Sequence, residues 1–231
     1  MQKKSNNKFL IGLAVALLLP LSFYLIISWM SKSQVPHLPK YQIVESVSAS
    51  GDTIYHKTGD IELVNQFGQK VSLNKDLKGK MLVVNFFFAR CQTICPKMSA
   101  NMYMLQKAFK KDNKKENSLD TAVHFISITV DPANDSVPVL RSYADRYHAH
   151  PDHWWFLTGN RVAIYNFARN ELHITMQSGD GGVDDFIHSQ KLVLIDTARY
   201  VRGYYDGTDT ASVIKCADDI VILTKQKNKK K

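Results

Sequence analysis

The longest apolar run, Phe9 to Met30, contains no charged residue. At about 22 residues it is long enough to span a hydrocarbon layer about 30 Å thick. Pro20 is tolerable in a membrane helix, and Trp29 suits the membrane interface. After the run the chain turns polar, with Pro36 and Pro39, and reads as a linker over residues 31–45. The hydrophobic pattern then changes. Asp60 to Val64 and Lys70 to Leu73 flank Gly68 and predict a hairpin. Met81 to Phe88 is apolar at nearly every position, as a central strand covered on both faces would be. Met98, Met102, Leu105 and Phe109 share one face of a helix that begins near Cys95-Pro96 and fades into the charged stretch Lys110 to Glu116. Val123 to Val130 predicts a second buried strand. Asp135 or Ser136 is placed to cap a helix running to Tyr147, and another helix is expected over Arg161 to Asn170. Lys191 to Ile195 and Tyr200 to Tyr205 predict a closing hairpin. A last helix, capped by Asp209, places Val213, Ala217, Ile220 and Val221 toward the core. Strands alternating with helices, then a hairpin and a helix, predict an α/β fold with a mixed sheet.

Composition does not disturb this picture. The 231 residues are 45% hydrophobic and 22% charged, which excludes wholesale disorder. The net charge is +9, but Lys3, Lys4, Lys8, Lys225, Lys227, Lys229, Lys230 and Lys231 carry eight of those charges in end segments without acids. The chain between is nearly neutral, so it lacks the basic face of a nucleic-acid-binding domain, and no nucleic acid is expected as a partner. The basic tail suits an anionic membrane surface instead. The apolar run is longer than a signal-peptide core and lacks a small-x-small cleavage site, which favours an uncleaved anchor. Lysines on its short N-terminal side orient that end to the cytoplasm and the rest to the outer side, where disulfides form. The expected organisation is a cytoplasmic end (1–8), a transmembrane helix (9–30), a linker (31–45), one α/β domain (46–224) and a basic tail (225–231).

The chemistry concentrates at Cys91-Gln-Thr-Ile-Cys95-Pro96, where the first core strand meets its helix. A cysteine pair at this junction points to the thioredoxin architecture. Cys-x-x-Cys there would suggest a redox enzyme, but here one residue is added. The first thiol lies in the loop and the second at the helix start, where backbone N–H groups and the macrodipole favour a thiolate. The loop can turn both sulfurs to one point for a metal, and the same geometry permits a disulfide. Spacing alone does not choose.

The pattern resembles the Sco/SenC family of membrane-anchored copper proteins. The resemblance is carried by Asn85-Phe-Phe-Phe-Ala-Arg-Cys91-Gln-Thr-Ile-Cys95-Pro96, then Ser127-Ile-Thr-Val-Asp131-Pro-Ala-Asn-Asp135, then Asp185-Phe-Ile-His188-Ser-Gln-Lys-Leu-Val-Leu-Ile195-Asp196. Order and spacing agree over roughly residues 58 to 224. Two positions depart: Ala89 stands where a small hydroxyl residue is frequent, and Gln92 where a proline is common. The resemblance implies a thioredoxin-like fold and a copper metallochaperone in the bacterial cytoplasmic membrane, its domain on the outer face. It would deliver copper to the dinuclear copper site of cytochrome c oxidase, or keep that site's cysteines reduced, with an oxidase subunit as its receiving partner. It also implies Cys91, Cys95 and His188 as the metal ligands. Soft thiolates select Cu(I) and imidazole binds Cu(I) or Cu(II), whereas zinc would want a fourth ligand. Asp184 or Asp185 would orient the imidazole. The alternative is a membrane-tethered thiol–disulfide oxidoreductase using Cys91 and Cys95. A peroxide-reducing enzyme on the same fold is the weaker third reading.

Other residues have plainer readings. His148, His150 and His153 share no helical or strand register and read as a polar loop before Trp154-Trp155. Of Met98, Met102 and Met104, two lie on the apolar helix stripe and suit core packing. Cys216 falls on the apolar face of the last helix and reads as a small hydrophobe. Trp154 and Trp155 suit either the core or a partner surface.

Overall fold

The computed structural model describes residues 7–33, 37–41, 43–45, 53–109, 122–174 and 189–229. The chain divides into two units, Met1–His37 and Leu38–Lys231. The first contains helix α1 (Asn7–Ser33), with Pro20 inside it. Within α1, Ile11–Ser28 is long and apolar enough to cross a membrane, and its large side chains, Leu19 and Phe23 among them, point outward.

The second unit begins inside the segment expected to be linker. Tyr41 donates its backbone N–H to the Val201 carbonyl, and the Arg202 guanidinium holds the carbonyls of Leu38 and Pro39. Short strands β1 (Ile43–Glu45) and β2 (Ile54–Tyr55), which the pattern did not suggest, pair with each other. The body of the fold is a mixed sheet built from β3 (Glu62–Asn65), β4 (Lys70–Ser72), β5 (Met81–Phe87), β6 (Val123–Thr129), β7 (Trp154–Thr158), β8 (Lys191–Ile195) and β9 (Val201–Asp206). Among the described residues its order is β4-β3-β7-β6-β5-β8-β9. The three central strands run parallel, and the other pairings are antiparallel. Every residue of β5 and of β6 is buried, as the nearly continuous apolar run of β5 predicted. Between β3 and β4 the chain turns at Gly68, whose φ of 78° is open to glycine without strain.

Helices cover both faces. On one lie α2 (Ile94–Phe109), α3 (Val137–Arg146) and α5 (Thr210–Lys229), which bury Met98, Met102, Leu140, Val213, Cys216 and Ile220 against Val83, Phe87, Phe125 and Phe156. On the other lies α4 (Arg161–Asn166), packed on Leu82, Val84, Ile126 and Val193. Four expectations change in detail. The helix predicted to Asn170 is α-helical only to Asn166 and finishes as a π-helical turn, Phe167–Glu171. Ser136 stands at the start of α3 but makes no side-chain cap, and the Asp135 carboxylate turns inward instead. Asp209 does cap α5, accepting from Ser212 N–H at 3.0 Å, but the helix continues to Lys229 through much of the basic tail. Within α5, Ala217 and Val221 are half-buried, and the buried apolar positions among the described side chains are Val213, Cys216, Ile220 and Leu223. Trp154 is core on β7, while Trp155 is half-buried.

Candidate metal centre

Strand β5 leads into the cysteine loop, and the neighbouring parallel strand β6 ends level with it, Phe87 opposite Thr129. This register sets two carboxylates under the residues that precede Cys91. Asp131 takes the Arg90 guanidinium at 2.8 Å and both its oxygens accept from Asn134 Nδ2. Asp135, completely buried, accepts the Ala89 N–H at 3.1 Å and a short hydrogen bond from the Thr129 hydroxyl. Burial raises the Asp135 carboxyl above its ordinary value, although Thr129 and Ala89 pull it back. The two acids of the Asp-Pro-x-x-Asp element thus clamp the loop from the adjacent strand. The contact depends on strand register rather than on spacing along the chain, so the Asp-Pro-x-x-Asp element by itself does not reveal it.

The two thiols are brought together and made unequal. Cys91, half-buried in the loop, accepts the backbone N–H of Cys95 at 3.5 Å and lies 3.8 Å from the Thr93 hydroxyl. Burial pushes its thiol up, but N–H donation from Cys95 and Thr93 and their side chains outweigh this, leaving the thiol below the ordinary value. Cys95 lies inside α2 and is 3% exposed, so the helix-start thiolate expected there is corrected. Burial pushes the Cys95 thiol up to about 12, and the nearby Cys91 and Asp135 add to the shift. The start of α2 therefore favours the anion on Cys91, whose sulfur accepts the Cys95 N–H, while burial disfavours it on Cys95.

His188, Asp184 and Asp185 lie outside the described residues. Ser189 is buried, and β8 starts beside the end of β5, following the register of Val193 opposite Val84. There Gln190 accepts the Gly207 N–H at 2.6 Å, and Asn101 of α2 donates to the Gly207 carbonyl at 2.8 Å. The residues directly after His188 are thus tied to the layer that carries Cys95.

The remaining candidates sort plainly. Met98 and Met102 are fully buried, and Met104 is half exposed. Cys216 is fully buried in the core, where burial raises its thiol. His148 packs its ring on Tyr103, while His150 and His153 stack with centroids 4.9 Å apart.

Residues 51–223 match the family model described as SCO1/SenC. The SCO1 protein homolog of Bacillus subtilis is 33% identical over 171 residues, covering 74% of this chain and 82% of that protein. A SCO1/SenC family lipoprotein from Bacillus anthracis superimposes with a TM-score of 0.62 at 29% identity, over 73% of this chain and 95% of its own. BsSco, a Sco-family protein in which a disulfide switch was identified, gives 0.60 at 32% identity, over 75% and 96%. The thioredoxin-like sheet, the paired thiols at the β5–α2 junction and these likenesses place the chain in the SCO1/SenC family.

Proposed function

We propose that the protein is a copper carrier, tethered by residues 9–30 to the outer face of a bacterial cytoplasmic membrane. In this reading it supplies copper to the dinuclear copper site of cytochrome c oxidase or keeps that site's cysteines reduced. Cys91, Cys95 and His188 are the proposed ligands. The observation that carries the reading is the unequal thiol pair: Cys91 half-buried with its thiol shifted below the ordinary value, Cys95 buried in α2 with its thiol pushed up. Two sulfurs and one imidazole leave copper low-coordinate, so an incoming partner ligand can take the place of the accessible Cys91 sulfur while Cys95 still holds the metal. A Sco protein of Bradyrhizobium japonicum, of the same fold, has been determined with copper bound.

The same asymmetry favours a second reading, thiol–disulfide exchange. The Cys91 thiolate attacks a substrate disulfide, forming a mixed disulfide and releasing one substrate thiolate. Cys95 then gives up its proton and attacks the Cys91 sulfur, forming the Cys91–Cys95 disulfide and releasing the second substrate thiol. His188→Ala separates the two. The copper reading expects loss of Cu(I) affinity with disulfide-reductase activity largely kept. Equal loss of both would contradict a role in delivery alone.

A further inference from the structure

Several local irregularities of the backbone meet at one place in the Leu38–Lys231 unit. The π-helical turn Phe167–Glu171 delivers Glu171, and π-turns inside helices occur frequently at functional sites. Two residues on, His173 holds a left-handed φ of 45°, an uncommon conformation for a side-chain-bearing residue. Gly59 approaches from the chain before β3, and its N–H donates to Glu171 Oε2 at 2.6 Å. A Cβ at position 59 would stand 3.1 Å from the Glu171 carboxyl carbon, so a larger residue there would crowd the carboxylate. The same oxygen takes His56 Nε2 at 2.9 Å. The rings of His56 and His173 face each other edge to face, centroids 5.5 Å apart.

A carboxylate holding one ring nitrogen of a histidine is the arrangement that fixes the tautomer of a metal ligand. With Nε2–H donated to Glu171, the lone pair of His56 falls on Nδ1. His56 is three-quarters buried and Glu171 nearly so, while His173 is exposed, so the pair opens to solvent on one side.

We propose that His56 and His173, with Glu171 orienting the first, form a second metal site that takes a divalent ion of the late first transition row, Cu(II) foremost. Imidazole suits Cu(II), which stands highest in the affinity order of these ions. Among the described residues no three histidine, cysteine or carboxylate side chains close around a metal, so the site offers two protein nitrogens and leaves the other positions to water or an exchanging ligand. Such a site holds an ion loosely, as a loading or scavenging position would. Its residues are distinct from Cys91, Cys95 and His188.

The test uses the full chain in detergent with Cys91→Ser, Cys95→Ser and His188→Ala, so that the other proposed site is absent. Cu(II) alone is added in competition with glycine and followed by electron paramagnetic resonance. The site predicts one equivalent with hyperfine splitting from two imidazole nitrogens. His56→Gln and His173→Gly should each weaken binding at least tenfold and leave one coupled nitrogen. His173→Gly also relieves the left-handed backbone, so folding does not confound it. Glu171→Gln should weaken binding by roughly 10–100-fold. Absence of the equivalent, a spectrum unmoved by His56→Gln and His173→Gly, or a signal that disappears only in His150→Ala/His153→Ala would overturn the assignment.

Discussion

His124 sits on β6 with no exposed surface, its ring edge-on to Trp155 at 4.4 Å, and neither ring nitrogen makes a hydrogen bond of good geometry to a described residue. Burial pushes the imidazole from 6.5 down to about 3, the charges of Lys80 and His153 add to this, and the Asp152 backbone offsets only part. The unfolded chain therefore takes up a proton near pH 6.5 that the folded protein refuses until about pH 3. Stability is whole above the unfolded value and falls as pH drops from there toward the folded one. At pH 5 an ordinary histidine is about 97% protonated while the buried ring is still neutral, which costs about 2 kcal/mol relative to pH 7.5. That figure depends almost wholly on the unfolded value and barely on how far below pH 5 the folded one lies. His124→Leu removes the titration and two buried nitrogens that lack a well-formed hydrogen bond among the described residues, so at pH 7.5 it should be neutral or stabilising. Urea unfolding of the full chain in detergent, read by tryptophan fluorescence at pH 7.5 and pH 5.0, measures both. The wild type should lose about 2 kcal/mol more than His124→Leu on acidification. If the two proteins lose the same amount, the ring is not held neutral and the reasoning fails.

The clamp beneath the cysteine loop makes its own demand. Asp135→Ala strands the Ala89 N–H and the Thr129 hydroxyl and should cost about 1–3 kcal/mol, with Thr129→Val costing less. An unchanged unfolding midpoint for Asp135→Ala would show that these bonds do not hold the loop. The inequality of the thiols predicts that iodoacetamide at neutral pH labels Cys91 long before Cys95 or Cys216. Peptide mapping by mass spectrometry reads the order directly, and labelling of Cys95 at a comparable rate would refute it.

Much of the fold was legible because burial on both faces writes a nearly continuous apolar run, as in Met81–Phe87, and because Gly68 marks its turn. Strand β7 was not. Its five residues follow a histidine-rich loop, and a tryptophan pair reads equally well as core or surface until β6 is known to lie alongside. The cysteine pair was visible as a motif, but which thiol ionises more readily was not: the answer turns on which sulfur is buried and which accepts hydrogen bonds from Cys95 and Thr93. Asp131 and Asp135 became clamps only through the register of β5 with β6, and His56 met Glu171 across 115 residues. Neither contact leaves a local pattern. His124 is the converse case, a polar residue inside a strand that hydrophobic patterning absorbs without remark.

The central claim is that Cys91, Cys95 and His188 together hold copper. Anaerobic titration of the full reduced chain with Cu(I) against a chromophoric chelator tests it, with Cys91→Ala, Cys95→Ala, His188→Ala and Cys216→Ala alongside. The account predicts one tight equivalent, weakened by each of the first three substitutions and unchanged by Cys216→Ala. Failure of the fully reduced protein to compete with the chelator would contradict it and leave the cysteine pair to thiol–disulfide chemistry.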